Sequence, residues 1–407
     1  DLGNYNEAKE SHKKALVIRR KIYHDEHADV ATSYNNLGTV YSKLKKNNKA
    51  KECYEKALII RKKIYDEEHS HIASSYNNLG IVYSNLGKFN EAKKYYQKAL
   101  VIMKKVYDEE HADVASNYSN LGTFYAEVGS YKEAKEYHEK ALTIRKKIQN
   151  EEHSHVAASY NNLGIVNSHC GKHIEALEYF EKALAIRKKT LGEEHTDVAE
   201  SHNNLGVVYS HLAKYNEAKE HYEIALFIWR KIYGEEHGDV AASYNSLGVV
   251  CGNLGKYSEA KEYLYKALII RKKINKEEDA HVASSYNNLG TIFSHRGKYS
   301  KAKELYEKAL FILKKIYYVG HKLVATIYHN LGIFCSQLGE YFKAKNYFKK
   351  ARVIMKKSSD EVHSAEATSS INPGNIDNRL GSVMNTKYSK RKHGPLSTRF
   401  TTRNILG

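Results

Sequence analysis

Apolar positions along the chain fall into two helical stripes that alternate throughout. In the first, Val30, Tyr34, Leu37, Gly38 and Tyr41 follow the i, i+4, i+7 spacing of one helix face. In the second, running from about Asn48 to Tyr65, Ala50, Tyr54, Ala57 and Ile64 form the expected buried stripe. A short turn rich in Gly, Lys and Asn separates them, as in NLGKFN at Asn85–Asn90. Strand-like alternation is absent from the sequence. The predicted unit is a helical hairpin, which can bury its faces only against neighbours of its own kind.

That unit repeats without drift. Gly38, Gly80, Gly122, Gly164, Gly206, Gly248, Gly290 and Gly332 stand 42 residues apart, and two alanine columns, Ala15 to Ala351 and Ala8 to Ala344, keep the same step. A lone second helix is expected over residues 1–23, followed by eight tandem hairpins over 24–357. A ninth unit starts over 358–375, where His363, Ala367 and Gly374 hold the register, but it decays as Pro373 replaces the leucine. Because the pattern is already under way at Asp1, the sequence reads as part of a longer chain. Small residues set the geometry: Gly38 and Ala57 mark a close approach of two helices, with Tyr34, Tyr41 and Tyr54 filling the gaps between them.

The columns Tyr34, Leu37-Gly38, Tyr41, Ala50, Tyr54 and Ala57 resemble the tetratricopeptide repeat, whose usual period is about 34 residues. The longer unit here is similar to the kinesin light chain and nephrocystin type of repeat, and the match covers residues 1 to about 357. This resemblance implies an all-α, right-handed superhelical solenoid of antiparallel helix hairpins. It also implies that one face of each first helix lines a concave groove for partner proteins.

Two adjacent asparagines recur within the first helix, although asparagine is a mediocre helix former. With the core stripe centred on Tyr34, Leu37 and Tyr41, the opposite face carries Thr32, Asn36, Thr39 and Lys43. The Asn36 column continues as Asn78, Asn120, Asn162, Asn204, Asn288 and Asn330, and Ser246 is its one departure. A carboxamide offers donors and an acceptor together, matching a peptide bond, so a ladder of them can hold an extended peptide by its main chain. The resemblance implies the same use. The competing expectation is that these side chains only cross-link neighbouring helices, and the more sideways Asn35 column favours that packing role.

Composition narrows the function further. At 28% charged and 42% hydrophobic the chain is ordinary for a globular protein, and no apolar run approaches the roughly 18 residues of a membrane span. The four cysteines lack CxxC spacing, which points to a reducing, cytoplasmic compartment, with Cys251 and Cys335 as small core residues. Of the net charge of +18, the last 32 residues (376–407) contribute +6, from seven Lys or Arg and one Asp, and read as a basic disordered tail.

The acidic EEH segments, as at Glu67–His69, put one His per unit where a helix begins, so they read as caps and dipole partners and not as metal ligands. The RKK runs, as at Arg61–Lys63, read as solvated cationic helix ends. Tyrosines committed to the core leave none for base stacking, so nucleic acid is not an expected partner.

No phosphate loop, nucleophile motif or acid pair stands outside the repeat columns, so neither an enzyme nor a cofactor is expected. The leading expectation is a scaffold that binds short peptide segments of other proteins. One alternative is a kinesin light chain-like cargo adaptor that pairs with kinesin heavy chain through an upstream coiled coil. Against it, the positions equivalent to Thr32, Asn36, Thr39 and Lys43 hold no arginine and one lysine, whereas cargo grooves of that family use basic residues. The other alternative is the sensor region of a larger NTPase or transferase.

Overall fold

The computed structural model describes residues 5–274, 278–317 and 321–363. Among the described residues every regular element is an α-helix. The chain forms two compact units, residues 1–208 and 209–407.

The first unit holds α1 (Tyr5–Tyr23), α2 (Ala28–Lys43), α3 (Asn47–Ile64), α4 (Ser70–Asn85), α5 (Phe89–Val106), α6 (Ala112–Glu127), α7 (Tyr131–Ile148), α8 (Ser154–His169), α9 (His173–Leu191) and most of α10 (Thr196–His211). The second holds α11 (Tyr215–Tyr233), α12 (Gly238–Asn253), α13 (Tyr257–Ile274), α14 (Ala280–His295), α15 (Tyr299–Ile316), α16 (Lys322–Gln337) and α17 (Tyr341–His363). Residues 358–363, expected to open a ninth repeat, continue α17 as helix. The remainder of that expected repeat (364–375) and the basic tail (376–407) lie outside the described residues.

Local chemistry sets the helix ends. The histidine of this column caps the helix that follows: His27 Nδ1 accepts from the Asp29 N–H at 3.1 Å, and His69, His111, His153, His195, His237 and His321 accept in the same way. Asp279 fills this role in the unit that lacks the histidine. The turn inside a hairpin needs a left-handed residue, supplied by glycine at Gly87, Gly129, Gly171, Gly255, Gly297 and Gly339 and by Lys45 and Ala213 elsewhere.

Hairpins α2/α3, α4/α5, α6/α7 and α8/α9 stack through α3–α4, α5–α6 and α7–α8 contacts in the first unit. In the second, α12/α13, α14/α15 and α16/α17 stack through α13–α14 and α15–α16. The conserved step of the glycine column has a direct cause. A Cβ on Gly38 would lie 2.8 Å from ring atoms of Tyr54, and Gly80 and Tyr96, or Gly290 and Tyr306, repeat the arrangement. The aromatic ring of the second helix takes the space that a side chain on the first would need.

Two expectations need correction. Ile64 is 39% exposed, and the buried stripe of α3 is instead Ala50, Cys53, Tyr54, Ala57, Ile60 and Arg61. Arg61 is therefore not a solvated helix end. Its Nη1 donates to the His71 carbonyl at 3.0 Å and to Ser75 Oγ at 2.7 Å, tying α3 to α4. Arg145, Arg187 and Arg271 make the same pair of bonds to the next helix. The lysines that follow behave as expected: exposed Lys63 pairs with Glu26, and Lys105 with Glu68.

Arg145→Ala is expected to lower unfolding free energy by about 1–3 kcal/mol, because it strips a charged donor from buried oxygens. Arg145→Leu combined with Ser159→Ile should recover most of that loss, since Leu313 and Ile327 occupy the same two buried positions four repeats later. Urea unfolding of the two variants beside the wild type checks both statements.

Candidate functional site

The first helices of successive hairpins touch one another as well as their own partners: α4–α6 and α6–α8 in the first unit, α12–α14 and α14–α16 in the second. On the side away from their hairpin partners they form a continuous inner face within each unit. Thr32, Thr39 and Lys43 are exposed there and Asn36 is half-buried, as the helical wheel predicts.

The asparagine column is brought into register by cross-repeat bonds. Asn78 Nδ2 donates to Asn35 Oδ1 at 2.9 Å, Asn120 to Asn77 at 3.1 Å, Asn162 to Ser119 Oγ at 3.4 Å and Asn204 to Asn161 at 2.9 Å. In the second unit Asn288 donates to Asn245 Oδ1 at 3.1 Å and Asn330 to Asn287 Oδ1 at 2.9 Å. Asn36 heads the column; the helix before it, α1, is a second helix without an equivalent of Asn35. The Asn35 column is thus the acceptor row and the Asn36 column the donor row.

One N–H of each donor is committed to packing; the other N–H and Oδ1 are additional capacity. Exposure separates the members. Asn36, Asn78, Asn120, Asn162 and Asn204 are half-buried, whereas Asn288 and Asn330 are 5% and 4% exposed. Asn288 Oδ1 already accepts from Asn287 Nδ2 at 3.3 Å, and Asn330 Oδ1 is buried without a partner among the described residues.

One group at this face was not singled out from sequence. Glu200 accepts from Arg187 at 3.3 Å and from Asn161 Nδ2 at 3.4 Å, and Asn161 in turn accepts from Asn204. The signal was available, because Glu200 is the carboxylate in a column otherwise made of Thr32, Ser74, Ser116, Ala158 and similar small residues. Among the described residues no three His, Cys, Asp or Glu side chains converge as metal ligands, and no helix is long and apolar enough to cross a membrane.

A stack of helical hairpins with an inner face of first helices defines a helical-repeat binding protein. The tetratricopeptide repeat profile matches residues 1–63, 71–147, 155–226, 198–273 and 239–315, and a second profile of that repeat matches 325–351. The chain belongs to the tetratricopeptide repeat family. No curated protein matches it.

Solved structures share the fold. The apo form of the quorum sensor NprR from B. thuringiensis has a TM-score of 0.61 at 17% identity, covering 86% of this chain and 99% of that one. A Rap protein complexed with competence and sporulation factor has a TM-score of 0.60 at 17% identity, covering 88% and 97%. Nearly identical TPR-like repeats assigned to a kinesin light chain of Podosopora anserina match at 27% identity over 51% of this chain and 99% of theirs, with a TM-score of 0.44.

Proposed function

We propose that this protein is a non-catalytic interaction scaffold whose inner face holds extended peptide segments of partner proteins by their main chains. Asn36, Asn78, Asn120, Asn162 and Asn204 are the contact column, and Asn288 and Asn330 mainly fix adjacent helices in the second unit. The observation that carries this reading is the cross-repeat bond on each donor, such as Asn78 to Asn35 at 2.9 Å. That bond locks the carboxamide rotamer, so its remaining N–H and Oδ1 are set in place before a ligand arrives and less entropy is lost on binding.

The test separates holding from packing. Asn120→Ala, Asn162→Ala and Asn204→Ala together are expected to weaken binding of a degenerate nonapeptide library at least about tenfold, with helicity retained. Asn77→Ala with Asn161→Ala removes the acceptors of Asn120 and Asn204 while leaving the contact column in place, so it should lose only the pre-organisation, a weakening of about threefold. Wild-type affinity in the triple variant, or equal loss in the control, would reduce the column to a packing device.

A further inference from the structure

The second unit departs from its own repeat at one spot on the inner face. The column Tyr54, Tyr96, His138, Phe180, Tyr222, Tyr306 and Phe348 places a ring at every position but one, where Leu264 stands. The column Ser42, Ser84, Ala126, Ser168, Ser210, Ser294 and Ser336 is likewise broken, at Gly252. Both losses of volume fall in the same hairpin, α12/α13. They leave a notch of about 20 Å³, room for one methyl-sized group, with Val249, Gly252, Leu264 and Ile292 as its apolar wall and Asn288 and Thr291 at its edge.

Charge gives the chemistry of what would enter. On α12, α14 and α16 the positions equivalent to Thr32, Asn36, Thr39 and Lys43 hold no Lys, Arg, Asp or Glu, and burial pushes the pKa of His295, which also lines the notch, down from 6.5, so it is neutral at pH 7. A charged side chain brought here would lose water and gain no counter-charge. A small aliphatic side chain would lose only its contact with water.

We infer that this notch is a side-chain specificity pocket, and that it takes one methyl group of a small aliphatic side chain, that of Ala or one branch of Val, from an uncharged stretch of extended peptide. The inference rests on the peptide-binding reading of the inner face. It goes further in naming one residue class of the ligand and the positions that select it.

Filling the notch with the residues the other repeats use makes the test gentle on the fold. Leu264→Phe installs the ring found at Phe180 and Phe348. Gly252→Ser installs the side chain of six equivalent positions, and its Cβ would meet Ile292 Cδ1, the far end of a flexible side chain, 2.6 Å away. The full chain is titrated with nonapeptide libraries in which the central residue is fixed as Val, Ala, Phe, Asp or Lys and the rest are degenerate.

Wild type is expected to favour the Val and Ala libraries over Asp and Lys by about tenfold or more, the scale of one methyl group in a fitted apolar pocket. Each variant should lose that preference while still binding the mixed pool. Binding without preference in the wild type, or a preference unchanged in both variants, overturns the pocket alone. Binding of no library to the wild type overturns the groove reading, and the pocket falls with it.

Discussion

Gly164→Val is expected to cost about 3 kcal/mol of stability, at the upper end of ordinary overpacking. Helix propensity alone points the other way, since a glycine inside a helix is about 1 kcal/mol worse than alanine. Packing decides the sign. A Cβ at position 164 would sit 2.6, 2.8 and 2.9 Å from three ring atoms of Phe180, which is 2% exposed in α9. Real contacts of that kind do not occur, so the ring must leave its rotamer or the hairpin must open. Stability in a linear array is carried by nearest-neighbour interfaces. Loss of amide-exchange protection should therefore concentrate in α8, α9 and the helices they touch within the first unit. Phe180→Leu in the same chain should recover part of the loss, and a double-mutant cycle by urea unfolding gives the coupling directly. Additive effects of the two substitutions would show that the ring and the glycine do not interact.

The second large effect depends on pH. His138 occupies a ring position that Tyr54 and Tyr96 fill in the preceding hairpins, and it is 2% exposed, with Nδ1 unpartnered among the described residues. Burial, aided by the charge of Arg145, pushes its pKa down from 6.5 to about 4. The unfolded chain therefore takes up a proton near pH 6.5 that the folded chain refuses until about pH 4. Stability falls as pH drops through that window and the penalty is complete below it. By linkage this single residue costs about 2 kcal/mol at pH 5 and about 3 kcal/mol below pH 4.

His138→Tyr removes the penalty, and the new hydroxyl would have Thr123 within reach, as Tyr54 has Thr39 at 3.0 Å. The difference in urea midpoint between variant and wild type should widen steadily from pH 7 to pH 4. A difference that stays flat across that range would show that His138 is protonated as easily in the fold as out of it.

Much of the fold was legible in the sequence because each repeat restates the same constraint. The 42-residue step, the glycine and alanine columns and the turn glycines fix two helices per unit, since a motif that recurs in eight contexts is not set by any one of them. The histidine caps were legible for the same reason. Arg61 was misread although a signal existed: it follows Tyr54 and Ala57 on the buried stripe, and its column elsewhere holds Met103, Trp229 and Leu313. Charge suggested solvent, yet the position faced the next helix, where Ser75 and a backbone carbonyl could receive the guanidinium. Where the column holds Leu313, the serine's place is taken by Ile327, so the polar pair is replaced as a pair.

The site divides along the same line. Sequence determined which residues repeat, that the chain is an all-α array, and that Asn36 and its equivalents lie opposite the core stripe. Those are properties of one helix and its period. Only the tertiary structure decided that Asn78 bonds Asn35 while Asn36 stays half-buried, that Asn288 is enclosed, and that Leu264 and Gly252 empty the same notch. These depend on the offset at which one hairpin settles on the next. That offset is fixed by side-chain volumes at the interface, and such volumes act between residues some forty positions apart that no local pattern links.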